Sequence, residues 1–334
     1  MNRKLLQISS FNEFLQLELI KKSKPESILK WIIVVASYSF LVYKIITFNR
    51  YQNFVDEWAQ IPISQFWWLI MVFILLPVNW LLEAKKWQLL VSKLQTIKVG
   101  YALKAILSGV SSGFFTPNRV GEFVGRVLFL EDKNRKSGVI LSVLNSLTQN
   151  LVMALCGIPA CYLFFLSQNK NMNDEIIKYF IILTISFILV GLLYLFLRWL
   201  SHQSKLNRFL AVIAPFSNCL SDFSAQDLFK ILLVTLLRYV VFCVQFYFML
   251  RFFNVGLDFW LAFITIPTTY LFVTFTPSMA FSEAAVRSSY AAIVIGAFSF
   301  PEMPIIMAGV SIWIVNFVVP MLAGLVIMAK SKTF

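Results

Sequence analysis

Long apolar stretches alternate with short polar segments along this chain. Six apolar windows are long enough to cross a bilayer as helices: 28–46, 65–82, 138–166, 177–198, 229–252 and 304–328. Two more apolar regions, 100–130 and 258–300, are each interrupted by Phe-Thr-Pro, at 115–117 and 275–277. Because proline removes a backbone donor and disfavours helix in the residue before it, each region is predicted to form two half-length helices. The pattern predicts an all-α protein with about six full spans and two re-entrant hairpins.

The composition supports a polytopic membrane protein. The chain has 334 residues, of which 59% are hydrophobic, and a mean hydropathy of +0.77, which is more apolar than any soluble core requires. The first 27 residues are polar and mixed in charge, and no signal-peptide cleavage pattern follows them. We therefore expect a cytoplasmic N-terminal segment over 1–27 and a single transmembrane domain over 28–334.

The basic residues predict how the chain is oriented. The net charge is +13, and the surplus Lys and Arg lie at the ends of apolar stretches, as in the positive-inside rule, so nucleic-acid binding is not expected. The charges predict a protein of the cytoplasmic membrane with both termini on the cytoplasmic side. The first hairpin is then entered from the cytoplasm and, by parity, the second from outside. Arg251, on the predicted outer side, departs from the rule. The halves, about 65–170 and 225–330, are predicted to form an inverted repeat.

Each Phe-Thr-Pro is followed by a Glu and, four residues later, by an Arg. The pairs are Glu122 with Arg126 and Glu283 with Arg287. Residues four apart are neighbours on a helix, so each pair is expected to contact. Ionisable groups in so apolar a setting indicate a functional site. The pair could be a structural ion pair, or it could open to admit a charged group or a proton.

The residues around the first Phe-Thr-Pro favour an anion. Asn118 suits the cap of the following helix, Arg119 suits a phosphate, and the free N–H groups of a helix start attract negative charge. Gly121 and Gly125 permit close approach of another helix or a lipid. The second copy offers Ser278 without a matching Arg or Gly, so we expect it to act mainly as a gate. The hairpin and gate residues are predicted to be Thr116, Pro117, Gly121, Gly125, Thr276, Pro277 and Ser278.

Other polar residues lie within or beside the predicted spans. Arg238 is expected to face the bundle interior, and Glu83, at the cytoplasmic end of the second span, is a secondary candidate. Lys85 and Lys86 are interpreted as snorkelling to the interface. Interhelical hydrogen bonds are expected from Asn145, Gln149, Asn150 and Asn316. With one His and no CxxC pair, we expect no metal and no cofactor, and no catalytic residue is assigned.

These motifs resemble the lysylphosphatidylglycerol synthase transmembrane-region family, also called flippase-like membrane proteins. The resemblance is carried by residues 116–122 with Gly125 and Arg126, and is supported by 83–87 and by Pro277, Glu283 and Arg287. The second motif of the family is typically glycine-rich, whereas this chain has Ser-Met-Ala-Phe at 278–281. The resemblance implies movement of polar lipids across the membrane. Relatives that also synthesise lysylphosphatidylglycerol carry a soluble aminoacyltransferase domain, and no polar stretch here exceeds a short loop.

The sequence therefore predicts a lipid translocase rather than an enzyme. The expected cargo is an anionic or aminoacylated phospholipid or a polyprenyl-phosphate carrier. Two alternatives are an accessory subunit in envelope biogenesis and a membrane-embedded enzyme acting on lipid-linked groups, with Glu83 or Asp132 as its carboxylate. The predicted substrate-binding residues are Asn118, Arg119, Glu122, Arg126, Arg238, Glu283 and Arg287.

Overall fold

The computed structural model describes residues 62–168 apart from 115, 117 and 118, residues 222–330 apart from 281, and positions 39, 42, 43 and 185. Several predictions lie outside the described residues: the N-terminal segment 1–27, the spans 28–46 and 177–198, and the roles of Pro117 and Asn118. Within the described part the fold is all-helical and contains no strand, as predicted.

The helices follow the same order twice, each time a long helix, two short helices and a second long helical stretch. In the second set, this last stretch consists of two short helices joined by a π-helical segment. The first set is α1 (Ile63–Val91), α2 (Val99–Phe114), α3 (Val120–Val127), a 3₁₀ turn (Asp132–Asn134) and α4 (Arg135–Gln168). The second set is α5 (Ala225–Phe252), α6 (Phe259–Phe275), α7 (Glu283–Gly296), α8 (Glu302–Trp313), a π-helical segment (Ile314–Val318) and α9 (Val319–Lys330).

Four helical stretches of the described part are long and apolar enough to cross a membrane. They are Ile63–Val91, Asp132–Gln168, Ala225–Phe252 and Glu302–Lys330, and they match four of the six predicted windows. The first runs well past the predicted end at residue 82. The charges at Glu83 and Lys86 ended the apolar window, but both side chains are buried inside the bundle.

Both Phe-Thr-Pro sequences interrupt the helix, as predicted. The helix α2 ends at Phe114 and α3 begins at Val120, while α6 ends at Phe275 and α7 begins at Glu283. We call α2 with α3 the first hairpin and α6 with α7 the second hairpin.

The long helices α1 and α5 pack against each other in antiparallel directions. Gln65 near the start of α1 donates to Asn254 just after α5, at 3.3 Å. At the opposite end, Lys93 just after α1 forms an ion pair with Asp227 in the first turn of α5, at 2.9 Å. Because each hairpin follows the C-terminal end of its long helix, the two hairpins start at opposite ends of the bundle.

Each half packs its last long helix onto the hairpin of the other half. The helix α4 packs against α6, and α9 packs against α2. Ser111 on α2 donates to the Met321 carbonyl on α9 at 2.6 Å. A Cβ added to Gly157 on α4 would lie 2.7 Å from the Leu271 Cβ on α6. The tips of the two hairpins meet, since Arg119 of the first forms an ion pair with Glu283 of the second.

Within the part of the chain that the structure describes, several basic residues lie together at one end of the bundle. The loop after α1 lies beside the 3₁₀ turn, since Asn134 donates to Gln95 at 2.9 Å, and it lies beside the start of α5 through the Lys93–Asp227 ion pair. Lys93, Lys98, Lys133, Lys136 and Lys230 belong to these neighbouring segments. The other end, where Gln65 meets Asn254, carries Arg251, which lies over the Trp68 ring at 5.7 Å.

Candidate functional site

A polar cavity of about 470 Å³ lies where the hairpins meet. Its walls come from α1, both helices of each hairpin, α4, α5, the end of α8 and the π-helical segment. Seven charged side chains line it: Glu83, Arg119, Glu122, Arg126, Arg238, Glu283 and Arg287. The lining thus contains one more arginine than glutamate. All six of the predicted substrate-binding residues that the structure describes are in this list.

Glu83 is the centre of the first group of charges. Its carboxylate lies 3.1 Å from Arg126 Nη2 and 3.0 Å from Arg238 Nη1, and it accepts a hydrogen bond from Asn145 at 2.8 Å. Arg126 also pairs with Glu122, which is the predicted contact four residues apart. The side chains of Glu83 and Arg126 are only 2% and 3% exposed, so each charge depends on its partners for stabilisation.

Lys86 lies directly behind this group, contrary to the interpretation that it snorkels to the interface. It is fully buried, and its Nζ donates to the Asn145 carbonyl at 2.7 Å. Glu83 is likewise not at the end of a span but two turns inside α1. The neighbouring Lys85 is exposed and donates to Gln88. The burial of Lys86 is possible because a carboxylate and a carbonyl face the same region.

A chain of amide side chains extends from Arg238 across the helix interfaces. Arg238 donates to Asn79 at 3.0 Å and to Gln149 at 3.2 Å. Asn79 in turn donates to Asn316, which lies in the π-helical segment. The wider π turn is a feature frequently found at functional sites. The interhelical bonds predicted for Asn145, Gln149 and Asn316 are therefore present, while Asn150 lines the cavity.

The second group of charges joins the two hairpin tips. Glu283 pairs with Arg287 at 2.7 Å, as predicted, and with Arg119 of the other hairpin, 164 residues away. Arg119 has a left-handed backbone, with φ of 56°, which is uncommon for a residue with a Cβ. Its guanidinium lies over the Phe317 ring at 4.3 Å from the centroid. Arg119 is thus held by groups on α7 and on the π-helical segment.

Unpaired hydrogen-bond donors are common among the residues lining the cavity. Arg126 and Arg287 each have Nε and Nη1 buried without a partner, and Gln149 and Asn316 each have an unpaired amide nitrogen. The indole N–H groups of Trp80 and Trp313 are also buried without a hydrogen-bond partner. Among the lining residues, two buried acceptors also have no hydrogen bond, Asn145 Oδ1 and Glu83 Oε2, and the latter faces Arg238. A buried unpaired donor is costly, so the lining favours a ligand that supplies acceptor oxygens.

The predicted hairpin and gate residues do not all line the cavity. Thr116 accepts a hydrogen bond from the Gly121 N–H at 2.8 Å, so Thr116 satisfies one of the N–H groups expected to be free for an anion. Thr276 and Ser278 line the cavity, and Thr276 shares a hydrogen bond with Tyr290. Pro277 is exposed and is not part of the lining. Gly121 and Gly125 lie on the face of α3 that contacts α2, where an added Cβ would collide with α2.

Sequence reasoning missed Asn79 and Gln245. Asn79 donates to Gln245, and Gln245 donates to the Val72 carbonyl across the α1–α5 interface. A signal for the α1 residues existed: Asn79, Glu83 and Lys86 are spaced on one helix face. Asp132, the other carboxylate considered for an enzyme, pairs with Arg135 and is 87% exposed, away from the cavity lining.

No curated protein matches this chain significantly. The profile of the lysylphosphatidylglycerol synthase TM region matches residues 28–324, which is most of the chain and includes both hairpins. This protein therefore belongs to the lysylphosphatidylglycerol synthase transmembrane-region family, a family of membrane proteins in lipid-related processes.

Proposed function

We propose that this protein translocates a polar or anionic lipid across the cytoplasmic membrane, and that the central cavity carries the headgroup. One observation carries the proposal: a cavity rich in arginine lies between two hairpins that start at opposite ends of a bundle whose helices are long enough to span a membrane. Interrupted helices in corresponding halves are where repeat-built transporters bind their substrates.

The chemistry of the lining supports an anionic headgroup. Arg126 and Arg287 are less than a tenth exposed, and each has unpaired donors beside its glutamate. A guanidinium binds phosphate through parallel N–H groups, and such charge-assisted bonds are stronger than neutral ones. Glu122 and Glu283 would then contact an amine where the headgroup carries one. A phospholipid, an aminoacylated phospholipid or a polyprenyl phosphate fits this set of groups.

The uneven charge of the two ends supports an orientation. The end with Lys93, Lys98, Lys133, Lys136 and Lys230 would face the cytoplasm by the positive-inside rule. The first hairpin would then enter from the cytoplasm and the second from outside, as in an inverted repeat. Arg251 at the other end is shielded by the Trp68 and Tyr247 rings, which reduces its weight as an orientation signal.

The ion pair between Arg119 and Glu283 would act as the contact that opens. It joins the two hairpin tips, and both of its members line the cavity. A phosphate that binds Arg119 would compete with Glu283 and release one tip from the other. The remaining partner of Glu283 is Arg287 in its own helix, so its charge would stay paired after release.

The proposal is tested by translocation in proteoliposomes. Phosphatidylglycerol with a fluorescent acyl chain is incorporated, and dithionite added outside quenches the label that reaches the outer leaflet. The wild type should expose the inner-leaflet label. Arg287→Gln and Glu122→Gln should lower the rate at least about tenfold, since a hydrogen bond to a charged group contributes about 1.5–3 kcal/mol.

The matched control is Lys133→Gln, whose side chain is 77% exposed and lies outside the cavity lining. Its translocation rate should equal that of the wild type. A wild type that fails to expose the label would contradict the translocase. If Arg287→Gln and Glu122→Gln translocate the lipid as fast as the control does, the assignment of the cavity as the headgroup-binding site is contradicted.

A further inference from the structure

A second, apolar hollow adjoins the cavity on the outside of the second hairpin. It is a shallow groove of about 430 Å³ between α4 and α6, open along its outer side, and we call it the α4–α6 groove. Its lining is Ala154, Ile158, Leu271, Phe272, Phe275 and Thr276. Only Thr276 among these has a polar side chain.

The groove and the cavity are separated by a wall one side chain thick. Thr276 lines both hollows. On α4, Met153 lines the cavity and the next residue, Ala154, lines the groove. On α6, Thr274 lines the cavity and the next residue, Phe275, lines the groove. Thr274 Oγ1 contacts Met153 Sδ at 2.8 Å and so closes the wall. A polar chamber and an apolar groove that share a side chain match the two parts of an amphiphile.

The groove opens to the apolar surface of the bundle. Ile158 and Phe275 are 50% and 58% exposed although both are large and apolar, as is normal for positions that face lipid. The counterpart of this groove in the other half, between α2 and α9, is closed. There Ser111 donates to the Met321 carbonyl and Gly324 packs on the Leu107 backbone. A chain attached to a headgroup in the cavity would reach the groove where the Thr274–Met153 contact parts, whereas the packed α2–α9 contact offers no such groove.

We propose that the α4–α6 groove holds the hydrocarbon chain of the lipid whose headgroup occupies the central cavity. The inference rests on the proposed function, since it assigns a place to the other end of the same lipid. It also restricts the ligand class: a water-soluble phosphate ester would fill the cavity and leave the groove empty. The occupant is a lipid chain because the cavity next to it presents the cationic groups that a lipid phosphate requires.

Photo-crosslinking tests the assignment. Benzoylphenylalanine is placed at Ile158 in the full chain, which is reconstituted with equal amounts of phosphatidylglycerol and phosphatidylcholine and irradiated. Captured lipid is identified by mass spectrometry. Position 158 should capture phosphatidylglycerol several-fold over phosphatidylcholine, and Arg287→Gln should lower that capture about tenfold.

Leu147 is the matched control, because it lies on the same helix, is 52% exposed and lines neither hollow. Capture at 147 should not discriminate between headgroups and should not respond to Arg287→Gln. The headgroup comparison at 158 needs no cavity variant, so it stays informative if Arg287→Gln fails to fold. Equal capture of both lipids at 158, or a crosslink to protein instead of lipid, would overturn the proposal.

The two proposals fail in distinguishable ways. Headgroup-selective capture at 158 with no translocation in liposomes would support the groove and contradict the translocase. Translocation with capture at 158 that is indifferent to the headgroup would support the translocase and contradict the groove. Ile158→Trp, which fills the groove without touching the buried charges, should slow translocation about tenfold, whereas Leu147→Trp should not.

Discussion

Glu83→Gln is expected to lower the free energy of unfolding by about 3–5 kcal/mol, the cost of removing one partner from a buried ion pair. Glu83 neutralises Arg126 and Arg238 together, and both arginines face it across helix interfaces. Without the carboxylate, Arg238 keeps neutral partners alone: the amide oxygens of Asn79 and Gln149 and the rings of Trp80 and Phe242. Glutamine preserves the shape of the side chain, so the loss measures the charge.

Unfolding by denaturant in detergent micelles measures this effect. The matched control is Glu131→Gln, because Glu131 pairs with Lys133 at the surface and is 59% exposed. An exposed pair contributes about 0–1 kcal/mol, so the control should change little. The double variant Glu83→Gln with Arg126→Gln should cost less than the sum of its single changes, since each removes the same contact. Equal, small losses for Glu83→Gln and Glu131→Gln would contradict the central place of Glu83.

Gly125→Ala is expected to destabilise the first hairpin by about 1–3 kcal/mol, as overpacking of a tight contact does. The added Cβ would lie 2.7 Å from Ser112 Oγ and 2.8 Å from the Gly109 Cα. Since α2 and α3 touch there almost backbone to backbone, one helix must move. Arg126 follows Gly125 directly, so the movement should also displace its guanidinium and slow translocation.

Gly100→Ala is the control for this prediction. Gly100 is in the first turn of α2 and has no atom within 4 Å of an added Cβ. There the substitution should be neutral or stabilising by up to about 1 kcal/mol, because alanine favours helix over glycine. Opposite signs at the two positions, in unfolding and in translocation, are the expected result. A stabilising Gly125→Ala would show that the hairpin helices are not in close contact.

Local features of the fold were predictable from sequence. The breaks at 115–117 and 275–277 follow from proline, and the Glu122–Arg126 and Glu283–Arg287 contacts follow from helical spacing. Their assignment to one substrate site rested on the repeat of the motif, and helical spacing did not give the contacts that join them. Helical periodicity tells which residues share a face, but the partner of that face depends on tertiary packing. The Arg119–Glu283 pair crosses from one hairpin to the other, and no local rule relates these two residues.

Lys85 and Lys86 illustrate the same limit. They are adjacent in sequence, yet Lys85 is exposed and Lys86 is fully buried. Successive residues point about 100° apart on a helix, so one of two neighbours can face the core while the other faces away. A hydropathy window averages over both and reads the lysines as the end of a span. Their positions relative to Glu83 distinguish them, because Lys86 is one turn from Glu83 on the same face.

The central claim of the account is that the two hairpins reach one cavity from opposite sides of the membrane. Gly100 and Gly256 allow a matched test, because they lie near the starts of the first and second hairpins, are exposed, and have space for a side chain. Gly100→Cys and Gly256→Cys are made in a background without Cys156, Cys161, Cys219 and Cys243.

A membrane-impermeant thiol reagent is then applied to intact cells and to inverted vesicles. The account predicts that Gly100→Cys reacts only from the cytoplasmic side and Gly256→Cys only from the outside. If both cysteines react from the same side, the hairpins are not opposed, and the cavity between them does not connect the two faces of the membrane.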